Sequence, residues 1–68
     1  MMIFQIIKTT DSRFNGVFIT KDTLYSVGDT FSLDAINFDI IKIDTIESGV
    51  FKLISNNYQV ILKLIDAN

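Results

Sequence analysis

The stretch INFDIIKIDTIESGVFKLISNNYQVILKLI, residues 36–65, decides the fold. It holds three apolar runs, Ile36 to Ile46, Val50 to Ser55 and Tyr58 to Ile65, separated by Glu47-Ser48-Gly49 and by Asn56-Asn57. Runs of this length rich in Ile, Val, Phe and Tyr read as strands, and the Gly, Ser and Asn between them read as tight turns. Tyr58, Val60, Leu62 and Leu64 recur with period two and mark one face of the last strand. Phe51 and Leu53 face the same way across the Asn56-Asn57 hairpin. In the run from Ile36 the phase slips: Phe38 and Ile40 occupy one face, then Ile41 and Ile43 the other. A one-residue slip is what a β-bulge produces, and bulges help to close small barrels.

Upstream, Thr30 to Leu33 reads as a short strand with Phe31 and Leu33 on one face, reversed at Asp34-Ala35. The last four strands therefore form a meander. Further upstream, Asn15-Gly16 is the preferred type I′ pair. It predicts a hairpin between a strand from Met2 to Phe14, bent or bulged between Thr9 and Ser12, and a strand from Val17 to Thr20. Lys21 to Tyr25 reads as a loop or a single helical turn. The segment Val27-Gly28-Asp29-Thr30-Phe31-Ser32-Leu33 resembles the start of a strand in several small barrels, including SH3-like barrels and the second domain of translational GTPases. That resemblance implies a fold class and no activity.

The expected fold class is all-β. It is a small six-stranded barrel or a strongly curled antiparallel sheet, SH3-like or OB-like in character, built as one domain over residues 1–68. A flat open sheet of this size would leave edges and a face exposed. The chain has 68 residues, so its stability is marginal unless something reinforces the core. It has no cysteine for disulfides and no histidine for a metal, but 49% of its residues are hydrophobic. A dense core or self-association is left to supply the stability.

The same absences bear on chemistry. The usual acid–base side chain and the thiol nucleophile are missing. No serine lies in a G-x-S-x-G turn. A small barrel also offers little room for a substrate pocket. The expectation is a non-enzymatic protein with no cofactor and no metal. Asp29, Asp34, Asp39 and Asp44 lie five apart, but on strands that spacing sends successive side chains to opposite faces. They read as turn formers and solvated positions rather than a calcium site. Gly16, Gly28 and Gly49 each fall in a separate turn and make no phosphate cradle. No run approaches the ~20 apolar residues of a membrane span. The N-terminus lacks the features of a signal peptide. A cytoplasmic protein is expected, with no membrane partner.

Two surfaces remain as functional candidates. The terminal strands do not alternate cleanly. Met2, Phe4 and Ile6 share one face while Ile3 and Ile7 point to the other, and Ile61 and Ile65 lie opposite the leucines of the last strand. Either these isoleucines are covered within the domain, or Ile3, Ile7, Ile61 and Ile65 form a patch for another protein or a second copy. The expected function is a small protein-binding module, of the kind a phage or mobile element uses to bind and inhibit a host factor inside an infected bacterial cell. The alternatives are a nucleic-acid-binding small β-barrel and a homo-oligomeric structural subunit. The net charge of −2 does not favour nucleic acid. That alternative requires Lys42, Lys52 and Lys63, on three successive strands, to share one face. Phe14 beside Arg13, Phe18 near Lys21 and Phe51 beside Lys52 are the aromatic–basic pairs it could use, each of which is as readily a core residue.

Overall fold

A computed structural model describes residues 1–67; Asn68, the last residue of the expected domain, lies outside them. The strands are β1 (Met2–Thr9), β2 (Phe18–Lys21), β3 (Thr30–Leu33), β4 (Ile36–Glu47), β5 (Val50–Ser55) and β6 (Tyr58–Asp66). All neighbours are antiparallel, and they form one sheet in the order β2-β1-β6-β5-β4-β3. The C-terminal meander is present as expected, and β1 joins it by pairing with β6. The sheet curls into a half-barrel.

Curling brings the two edges together. In a flat sheet β2 and β3 would stand five strand spacings apart, roughly 24 Å. Here Lys21 at the end of β2 reaches Asp29 just before β3, Nζ to Oδ2 at 3.1 Å. The connection between them carries Tyr25 inward. Its ring meets Phe4 at 5.1 Å and Phe31 at 5.7 Å between centroids. Phe4 in turn meets Phe51 edge-on at 5.6 Å. These rings join Ile6, Ile40, Leu53, Val60 and Leu62 in a core on the inner side of the curl. Ser55 is the fully buried polar residue there, and its hydroxyl donates to the Asp39 carbonyl. No buried side-chain polar atom among the described residues lacks a partner, as a small core requires.

Bulges produce the curl. Ile7 is extra in β1 between the pairs Ile6–Leu62 and Lys8–Ile61, and Ile65 is extra in β6 between Ile3–Asp66 and Phe4–Leu64. Ile41 is extra in β4 between Ile40–Ser55 and Lys42–Ile54, and further along β4 Asp44 and Thr45 together oppose Lys52. The slip expected in the fourth strand is thus real, with one correction. Ile43 does not follow Ile41 outward: it pairs with buried Leu53 and packs against the core. The bulge places Ile41 and Lys42 both outside, and Ile43 then resumes the inner face.

The N-terminal hairpin also differs from expectation. β1 ends at Thr9, and Ser12–Phe14 form a 3-10 turn that buries Phe14. The Asp11 carboxylate opens that turn by accepting from the Arg13 N–H at 3.1 Å. Asn15-Gly16 is not type I′. Asn15 has φ −63 and ψ 132, Gly16 has φ 85, and Val17 N–H donates to Phe14 O at 3.2 Å, which is a type II turn. The cause is the Asn15 side chain, whose Oδ1 takes the Thr9 N–H at 2.9 Å. The three meander turns, Asp34-Ala35, Ser48-Gly49 and Asn56-Asn57, carry positive φ at both central residues, the type I′ arrangement.

Ala35 holds φ 66, a conformation that Gly adopts without steric cost. Ala35→Gly should raise stability by about 0.5–1 kcal/mol, the left-handed penalty less the entropy cost of glycine. Urea unfolding of the two proteins measures this, and an equal or lower midpoint for the variant would refute it. A second expectation concerns pH. Burial, and after it the Asp29 carboxylate, push the Tyr25 phenol from its ordinary 10.0 up to about 12. A raised phenol stabilises the fold fully below the ordinary value, and that contribution is lost as pH climbs from 10 towards 12. Tyr25→Phe should therefore lose less stability between pH 9 and pH 11.5 than the unsubstituted protein.

Candidate binding face

Partners across an antiparallel ladder point to the same side, so the register assigns the outer face row by row. Phe18, Gln5, Lys63, Val50 and Glu47 make one row from β2 to β4. Lys8, Ile61 and Lys52 make the next, closed by Asp44 and Thr45. Gln59, Ile54 and Lys42 make the third. At the far end Ile3 stands between Thr20 and Asp66.

Both residue sets expected from the sequence fall on this one face. Ile3 and Ile61 are half-buried among their neighbours, while Ile7 is 48% and Ile65 47% exposed. The four do not form a continuous patch. Ile3 with Ile65 and Ile7 with Ile61 are separate islands, divided by the paired Gln5 and Lys63. Lys42, Lys52 and Lys63 lie on the same face, with Lys42 and Lys63 exposed and Lys52 half-buried. Lys8 belongs with them, and sequence reasoning left it out. Its signal was available: Ile6-Ile7-Lys8 repeats Ile40-Ile41-Lys42, the triplet whose phase slip marks a bulge.

The charge distribution is segregated. Arg13 and Lys21, the two cations outside the face, are each held in an ion pair, with Asp11 at 2.6 Å and Asp29 at 3.1 Å. On the face, Asp44 is shared by Lys42 at 3.2 Å and Lys52 at 3.8 Å. Lys8 and Lys63 have no acidic partner within 4.0 Å among the described residues. Glu47 and Asp66 sit at the ends of the face, and Asp39, opposite Thr30, lies towards the β3 edge.

The evenly spaced aspartates do four separate jobs. Asp29 accepts the Ser26 N–H at 2.9 Å, and that bond, followed by Lys21, holds its carboxyl below the usual range. Asp34 forms a turn, Asp39 sits in the β3–β4 ladder, and Asp44 binds lysines. No group of three or more His, Cys, Asp or Glu among the described residues is placed to hold a metal ion. Two of the aromatic–basic pairs are not platforms, because Phe14 and Phe51 are buried. The third is divided between faces: Phe18 points outward beside Gln5, while Lys21 pairs with Met2 and lies over the Tyr25 ring at 5.3 Å. No helix among the described residues is long and apolar enough to cross a membrane.

No protein-family model matches the chain, and neither a curated protein nor a solved structure matches it significantly.

Proposed function

We propose that this chain is a protein-binding module that docks through the outer face of β1, β6, β5 and β4 onto an acidic partner surface. The observation that carries the reading is the interleaving on that face. Exposed Ile7, Ile41 and Ile65 alternate with Lys8, Lys42 and Lys63, although the chain as a whole is acidic. Apolar contact with a partner supplies affinity, and the lysines select an acidic surface and speed the encounter. These four strands lie inside the sheet, between β2 and β3 at its edges, which favours face docking over strand addition.

A second reading, a nucleic-acid-binding barrel, is supported by the co-alignment of the same lysines. The burial of most aromatic rings in the core counts against single-strand stacking.

The double substitution Ile7→Thr with Ile65→Thr separates the two. It preserves charge and strand propensity at exposed positions, so the fold should change by no more than about 0.5 kcal/mol per site. Partner capture from a bacterial lysate, run with this variant beside the unsubstituted protein, should lose its specific band in the variant. A band that survives the substitution, or that nuclease treatment removes, would defeat the protein-docking reading. Gel shifts with oligonucleotides at low salt, unchanged by the substitution, would establish the second.

A further inference from the structure

The geometry points to one position on this face, the depression above Ile61, as the subsite that takes an anionic side chain, a carboxylate carried on an extended segment of the partner. This rests on the docking reading above and adds where the acid sits.

Ile61 pairs with Lys8 on one side and with Lys52 on the other. The two lysines are therefore centred on one isoleucine, their Cα atoms two strand spacings apart, about 10 Å. Between them lies a depression of about 270 Å³ lined by Lys8, Thr9, Thr10, Lys52, Gln59 and Ile61. Ile61 and the lysine methylenes offer it apolar surface, and the two ammonium groups offer it positive charge. A glutamate or aspartate fits that pattern, with its methylenes on the apolar surface and its carboxylate between the cations.

The groups around the depression are free to respond. Lys8 has no acidic partner among the described residues, and Lys52 holds Asp44 only at 3.8 Å while Lys42 holds the same carboxylate at 3.2 Å. An incoming carboxylate can draw Lys52 over without leaving Asp44 unpaired. Thr10 Oγ1 accepts the Gln59 N–H at 2.9 Å, and its own hydrogen remains to donate. No aromatic ring lines the depression, so a nucleotide base would have nothing there to stack on.

The test is an NMR titration of the full chain at low salt with an acetylated peptide of alternating Glu and Leu, with an oligothymidylate as the second probe. The peptide should shift Lys8, Thr10, Lys52, Gln59 and Ile61. Lys8→Gln and Lys52→Gln should each weaken it about fivefold, the upper end for an exposed ion pair, and Lys63→Gln, on the same face outside the depression, less than about twofold. The spectrum of each variant reports directly that it is folded. Equal weakening by all three lysine variants would overturn the subsite and leave a diffuse attraction. Peptide binding that ignores Lys8 and Lys52 but is lost in the Ile7→Thr, Ile65→Thr protein would overturn the subsite and leave the docking face standing. No binding by the peptide, or tighter binding by oligothymidylate with the same shifts, would overturn the carboxylate assignment.

Discussion

A single-layered sheet can bury its apolar side only against itself. Among the described residues there is no α-helix and no second sheet to cover the inner face, so the six strands must bend until that face closes on its own side chains. Everything else in the structure follows from that bend. It brings β2 within an ion pair of the start of β3, it allows the connection between them to place Tyr25 against Phe4 and Phe31, and it lets Phe14 join the core from its 3-10 turn.

The bend is made by bulges, and bulges have a second consequence. Each extra residue puts two neighbouring side chains on the same side of the sheet. In three of the four bulges the extra residue is an isoleucine: Ile7 before Lys8, Ile41 before Lys42, Ile65 before Asp66. The device that closes the core therefore also puts apolar groups beside charges on the outside. An acidic chain acquires a face rich in lysine because its other two cations are held in local ion pairs and several of its carboxylates are in turns or towards the β3 edge. Exposed apolar groups beside ammonium groups invite association, and the proposed docking rests on that property of the face.

Much of this was legible in the sequence, for identifiable reasons. Strands β3 to β6 are bounded by turn residues whose chemistry is local, and their core side chains follow period two, so Phe31, Leu33, Phe51, Leu53, Val60 and Leu62 announce themselves as the inner face. The first hairpin was not legible to the same degree. Asn15-Gly16 favours type I′ in isolation, but the Asn15 side chain is taken by the Thr9 backbone, a contact between positions six apart that no dipeptide preference contains. Ile43 was misplaced because a bulge and a simple change of face produce the same pattern for one step and differ at the next.

What the sequence alone determined is the class of object: an antiparallel β fold with a meander, built from short-range turns and period-two alternation, and without histidine or cysteine. Only the tertiary structure decided how the two candidate surfaces relate. Periodicity assigns a side chain to one of two sides of its own strand, but says nothing of which residue stands beside it on the next strand. Register supplies that, and register placed Ile61 between Lys8 and Lys52 and gathered the isoleucines and lysines onto one face.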